Sequence, residues 1–302
     1  MRSRRRLTKK EKKNNKPGTL NFRRLLTLTS FLLIIILLTI FGLVFIDVRI
    51  SRLVPDHRNT SSETKRILTQ SKAKSLKDRK PKVAIIVDDL GSKKGPIDKL
   101  MEIKFPVNFA ILPYRPYSKY AAEMANKKGW DVILHLPMEP KDSSGYMGSD
   151  AGEGVLLVGS TKEQILEKLD ENLQSIPYIK GVNNHMGSKF TENGELMEVV
   201  LKRLSSKGLF YVDSLTTQNS KGYGIARTLG MKTVKRDIFL DEESEGVQYV
   251  HSQILKLITL SKQRGYAVGI CHPYPQTVEA LLKPLQNLYK EVEIASISSV
   301  IN

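Results

Sequence analysis

Two carboxylates stand side by side in "KVAIIVDDLG" (residues 82–91), where an apolar run stops on Asp88 and Asp89 and then a glycine. Adjacent like charges repel, so one is disfavoured as an anion unless something positive lies nearby, and a divalent ion supplies that charge. Neighbouring strand residues point in different directions, so one carboxylate can bind the ion while the other faces a substrate. Further along, His135 and Glu139 lie four residues apart in "HLPMEP", and His185 lies in "GVNNHMGS". The first pair can reach a common ion, although Pro137 keeps them off a regular helix. His185 is expected in a loop whose glycine lets the backbone approach a ligand. A mixed shell of imidazole and carboxylate with one position left open for water suits zinc or a similar first-row ion.

The elements that must carry these residues are legible from hydrophobic periodicity. Strands are expected at "VAIIVDD", "VNFAIL", "WDVILHL", "LFYVD" and "YAVGICH", with another at "VEIASI" near the end. Helices lie between them. "STKEQILEKLDENLQSI" opens with Ser160 and Glu163 in capping-box spacing and carries Ile165, Leu169, Leu173 and Ile176 on one face. "GELMEVVLKRLSSKG" ends at Gly208 as a C-terminal cap does. Such alternation implies a parallel sheet, open or closed into a barrel, with functional groups at the C-terminal strand ends. The first strand ends at Asp88 and Asp89, the third at His135, the "LFYVD" strand at Asp213 and the "YAVGICH" strand at His272. One such histidine is more often a satisfied core residue; several on one rim point to a site.

In order and spacing, "VDDLG", "HLPMEP", "NNHMGS", "YVDS" and "ICHPYP" resemble the divergent polysaccharide deacetylase family over about residues 81–300. The resemblance implies an α/β fold, a distorted (β/α) barrel of about seven strands, and metal-dependent removal of N-acetyl or O-acetyl groups from a polysaccharide. It assigns Asp88 as catalytic base and Asp89 as metal ligand, with His135 and Glu139 or His185 as further ligands. Asp213 is implied to orient His272, the general acid. The arginine motif that steadies the base in such enzymes is replaced by "NNHMGS", and Arg236 in "VKRDIFLD" is the nearest charged substitute. With these departures, the other reading is a non-catalytic envelope protein that retains the metal and binds glycan or a protein partner. The aromatic segments "LPYRPYSKY" and "CHPYPQT" suit either, since aromatic faces stack on sugar rings.

The charge bears on location. The chain of 302 residues has a formal net charge of +17, but residues 1–80 hold 21 Lys/Arg against 5 Asp/Glu, leaving the remainder nearly neutral. A basic nucleic-acid-binding domain therefore loses its main support. Residues 25–46 are apolar and uncharged, long enough for one membrane-spanning helix, and follow a basic segment that the positive-inside rule leaves in the cytoplasm. No small-residue cleavage pattern follows, which favours an anchor over a signal peptide. The expected order is a basic cytoplasmic tail (residues 1–24), a transmembrane anchor (25–46), a basic linker (47–80) and an extracytoplasmic catalytic domain (81–302).

Cys271 is the single cysteine, so no internal disulfide forms, and its neighbour His272 faces the other side of the strand, which excludes a thiol dyad. His57 and His251 fall outside the strand ends and are assigned to linker and surface. A response-regulator receiver also starts with an acidic pair, but it needs an aspartate where this chain has His135.

Overall fold

The computed structural model describes residues 29, 31–44, 80–141, 151–283 and 290–301. They fall into two compact units, Met1–Leu76 and Lys77–Asn302. In the first, residues 31–44 are helical with exposed apolar side chains. Among the described residues no helix is long and apolar enough to cross a membrane. The expected span, residues 25–46, runs past the described residues at both ends, and the basic tail and His57 lie outside them.

The second unit alternates strands and helices in the order β1 (Lys82–Leu90), α1 (Lys94–Leu100), β2 (Asn108–Ile111), α2 (Ser118–Lys127), β3 (Val132–Met138) and α3 (Lys162–Ser175). It continues with β4 (Ile179–Met186), a short 3-10 turn at Phe190–Glu192, α4 (Gly194–Ser206), β5 (Phe210–Asp213), α5 (Gly222–Thr228), β6 (Thr233–Lys235) and β7 (Ile238–Phe239). It ends with α6 (Val247–Arg264), β8 (Tyr266–Cys271), α7 (Pro275–Leu282), β9 (Glu293–Ile294) and α8 (Ile297–Val300).

The sheet is a parallel half-barrel rather than a barrel of about seven strands. Its nine strands run β6-β5-β4-β3-β2-β1-β8-β7, with β9 beside β1. The two end strands, β6 and β7, are separated by only Arg236 and Asp237. The N–H of Arg236 donates to the Asp213 carbonyl at 2.9 Å and that of Asp237 to the Val268 carbonyl at 2.8 Å. Two residues thus carry the chain from one edge of the sheet to the other, which requires the sheet to curl.

Three strands escape the periodicity. β6 and β7 are too short to show a pattern, and β4, "IKGVNNHM", reads as a loop because Asn183 and Asn184 occupy buried positions. Their amides are hydrogen-bonded to neighbours, which permits burial of polar side chains. The capping box of α3 is formed by Thr161 and Gln164, one residue later than the spacing of Ser160 and Glu163 suggests. Gly208 follows α4 at φ +70°, as expected of a helix terminator.

Strand alternation sorts side chains onto two faces. Val83, Ile85 and Val87 of β1, Leu134 and Leu136 of β3, Tyr211 of β5 and Cys271 of β8 pack with the helices in the larger apolar cluster. Ala84, Ile86, Ile133, Val212, Val268 and Ile270 face the inside of the curl, where Ile297, Val300 and Ile301 close the cluster. Each fully buried Val or Ile contributes roughly 1.5–3 kcal/mol. The same period decides which strand-end residues meet: Asp88, His135, Asn183, His185 and His272 continue the inner rows, whereas Asp213 and Cys271 continue the outer ones.

Candidate active site

Asp89 breaks this rule of alternation productively. The β1–β2 register shifts between Val87 and Leu90, and Asp89 takes φ +56°, a left-handed conformation. The irregularity turns both adjacent carboxylates toward one imidazole: Nε2 of His135 lies 3.6 Å from Asp88 Oδ2 and 3.1 Å from Asp89 Oδ1. Such strain costs on the order of 1–3 kcal/mol and is concentrated at functional sites.

His185 completes a triangle. Its Nδ1 lies 2.9 Å from Asp89 Oδ1 and 3.1 Å from His135 Nε2. Two glycine-like conformations end β4 beyond it, Met186 at φ +51° and Gly187 at φ +86°. A Cβ on Gly187 would stand 2.7 Å from the Cβ of Met138, so no larger residue fits this turn without displacing β3. Asp89 Oδ1 is buried and accepts no hydrogen bond, although two ring nitrogens approach it. Three donor atoms converging this closely, two nitrogens and an oxygen, match what a first-row ion gathers with bonds of about 2.0–2.2 Å. The residues therefore fit a divalent metal.

Burial opposes the charge of Asp89, but His135 and His185 outweigh it and hold the carboxyl well below the usual carboxylate range. Asp88, 2% exposed, goes the other way: burial pushes its pKa up despite His135 and His272 nearby. Its Oδ1 accepts a hydrogen bond from Asn183 Nδ2 at 2.8 Å.

Across the site, His272 is fixed by Asp241. Nδ1 of His272 lies 3.0 Å from Asp241 Oδ1, and the His272 backbone N–H donates to Oδ2 at 2.6 Å. The Thr277 hydroxyl donates to the same Oδ2 at 2.8 Å. The His272 ring lies between Phe239 and Tyr274, with centroids at 5.9 and 5.4 Å. Burial works against its imidazolium, but the Asp241 hydrogen bond and the charges of Asp88, Asp241 and Asp89 prevail, and its pKa is pushed up to about 9. A cleft of about 210 Å³ opens between Asp89 and His272, walled by Leu90, Pro96, Pro273 and Tyr274.

The sequence profile of the divergent polysaccharide deacetylases matches residues 85–301, which hold every residue of this site. The chain belongs to that family. Among curated relatives of this family member, the uncharacterized protein YibQ of Escherichia coli (strain K12) is 30% identical over 221 residues, 73% of this chain and 67% of its own. An uncharacterized Haemophilus influenzae protein is 29% identical over 219 residues, 72% of this chain and 76% of its own. The crystal structure of an uncharacterized protein from Agrobacterium tumefaciens C58 shares the fold at a TM-score of 0.68 and 22% identity, covering 74% of this chain and 90% of that one.

Several expectations for this family member are corrected by the geometry. His185 lies on β4, not in a loop, two residues beyond Asn183 on the same face. The strand bearing His135 continues through Pro137 to Met138. Glu139 turns away from the metal triangle: Oε2 accepts the Val158 N–H at 2.6 Å and Oε1 the Lys189 ammonium at 2.5 Å. It ties the loop after β4 to the segment before α3. Asp213 does not orient His272. Its carboxylate, on the outer face of β5, accepts from the Leu215 N–H, the Ser220 hydroxyl and the Tyr223 N–H. Arg236 does act on Asp88, but through charge rather than a hydrogen bond. It donates to the carbonyls of Ser214 and Leu215, at 2.8 and 3.0 Å, with its guanidinium 3.6 Å from the Phe239 ring centroid.

Cys271 is buried behind the site, its thiol 3.5 Å from the Ile86 carbonyl. His251 is partly buried instead of exposed, with Nε2 3.3 Å from the Ala280 carbonyl.

Asp241 is the functional residue that sequence reasoning missed. No local signal marks it: it stands two residues after Phe239, the end of a strand too short to show a pattern, and it meets His272 only because β7 lies beside β8.

Proposed function

We propose that this protein is a metal-dependent hydrolase that removes acetyl groups, N-linked or O-linked, from a cell-envelope or secreted polysaccharide. The observation that carries the reading is the convergence of Asp89 Oδ1, His135 Nε2 and His185 Nδ1 beside the buried Asp88, with the Asp241-held His272 across the cleft.

Asp89, His135 and His185 hold the ion, and zinc suits two imidazoles, one carboxylate and an open position. When bound, a zinc ion lowers the pKa of a coordinated water and polarises a carbonyl oxygen. Asp88 accepts the proton that the attacking water loses; its burial raises its affinity for that proton. His272 supplies a proton to the departing amine or alcohol. Because its Nδ1 is engaged by Asp241, the proton it donates is on Nε2. Asp241 fixes the ring and stabilises the imidazolium. Pro96, Pro273 and Tyr274 offer flat apolar surface to a sugar ring, and Tyr274 adds a hydroxyl.

Residues 25–46 are proposed to anchor the chain, with residues 1–24 cytoplasmic and residues 81–302 outside the membrane, near an envelope substrate. Protection of the C-terminal unit from external protease in intact cells would reverse that topology.

Metal analysis of the purified full chain, followed by acetate release from acetylated amino-sugar polymers, tests the activity. Bound zinc with metal-dependent acetate release is expected. Bound metal with no release from any polymer would leave the glycan-binding role and remove the enzymatic one.

A further inference from the structure

We propose that Asn183 is a positioning residue whose single amide sets both arms of the site, presenting Nε2 of His135 to the ion while holding Asp88 in place. The inference rests on the metal reading above.

Asn183 is fully buried and is the register partner of His135 across β3 and β4. Its Oδ1 lies 2.9 Å from His135 Nδ1, and its Nδ2 donates to Asp88 Oδ1 at 2.8 Å and to Ser214 Oγ at 3.3 Å. The amide has one sensible orientation here. As the base that receives a proton Asp88 is ionised, and an ionised carboxylate only accepts, so the NH2 group faces Asp88 and the carbonyl oxygen faces His135. That oxygen also only accepts, so the hydrogen of the neutral imidazole belongs on Nδ1. Nε2 is then left with a free lone pair, 3.1 Å from both Asp89 Oδ1 and His185 Nδ1. A flipped amide would set an oxygen against the Asp88 carboxylate, two acceptors at hydrogen-bond distance.

Partners that hold the second nitrogen of a metal-bound histidine fix its tautomer, and losing one typically weakens metal affinity 10–100-fold. Here the same group also orients the base, so its two contacts can be separated by substitution. Asn183→Leu removes both. Asn183→Asp keeps an acceptor for the Nδ1 hydrogen but sets a carboxylate against Asp88.

The test uses the full chain, purified in detergent micelles, labelled with 15N in its five histidines, and titrated with zinc alone. In the zinc-loaded wild type, His135, assigned by its loss in His135→Gln, is expected to retain hydrogen on Nδ1. Asn183→Leu should bind zinc roughly 10–100-fold more weakly. Asn183→Asp should bind it within about threefold of wild type while kcat for acetate release falls at least tenfold with little change in KM. A purely structural role would instead lower zinc affinity in both variants in step with their thermal midpoints, which overturns the proposal. So does zinc bound through Nδ1 of His135, or an Asn183→Leu protein of unchanged midpoint that binds zinc within twofold of wild type. If that variant does not fold, the wild-type spectrum and the Asn183→Asp titration give the same decision. A wild-type chain that binds no zinc defeats the metal reading itself, and this inference with it.

Discussion

One carboxylate, Asp241, grips His272 twice, at the ring Nδ1 and at the backbone N–H. The histidine can therefore neither rotate about its ring nor shift along the strand without breaking a contact to a buried charge. Asp241→Asn should move the alkaline limb of the pH–kcat profile down, toward the ordinary histidine value of about 6.5, because it removes the hydrogen bond and charge that raise the His272 pKa. At pH 8, kcat should fall roughly tenfold to a hundredfold. Asp213→Asn, which alters a loop-holding acid instead, should lower the thermal midpoint and leave the profile in place. An equal shift in both variants would count against Asp241.

The same histidine gives the metal-free protein a pH-dependent stability of known sign. Its folded pKa, about 9, stands above the unfolded value, so the folded state binds the proton more tightly. The resulting stabilisation, on the order of 3 kcal/mol, is complete below about pH 6.5 and is lost as pH rises through about 9. Denaturant titrations of metal-free protein between pH 6 and 10 should show this loss, and His272→Gln should flatten it.

Glu139 and His185 make opposite predictions although both stand in the ligand-like sequence pattern. His185→Ala should lower zinc affinity at least a hundredfold in a direct zinc titration. Glu139→Ala should leave zinc affinity unchanged and destabilise the fold by about 1 kcal/mol, since it strips a partly buried acceptor from Val158 and a charged partner from Lys189. Loss of zinc in the Glu139 variant would restore it to the ligand set.

Asp88→Asn keeps the size of the side chain and removes its capacity to take a proton. Zinc content should be retained while acetate release falls about a thousandfold. Full activity in this variant would sink the role given to Asp88.

Much of the site could be read from residue type and position alone. The places of Asp88, His135 and His272 toward the C-terminal ends of their strands follow from apolar runs that stop on polar groups, and such runs are local. Alternation also excluded Cys271 from chemistry, because its parity continues the outer row. Extended to Asp213, the same count from Val212 would have placed that acid outside as well. β4 was not legible: two buried asparagines look like loop residues until the partners of their amides are known.

By itself, then, the sequence determined the alternating parallel architecture, the acidic pair at the end of the first strand and the supply of imidazoles on one rim. Strand order, decided only in three dimensions, brought β7 beside β8 and so gave His272 to Asp241. The irregularity at Asp88–Asp89 turned two neighbours toward one histidine, and Glu139 pairs with the Lys189 ammonium instead of joining the Asp89, His135 and His185 triangle. These are contacts between residues tens of positions apart. Local periodicity fixes which face a side chain takes, but its partner there depends on which strand lies alongside.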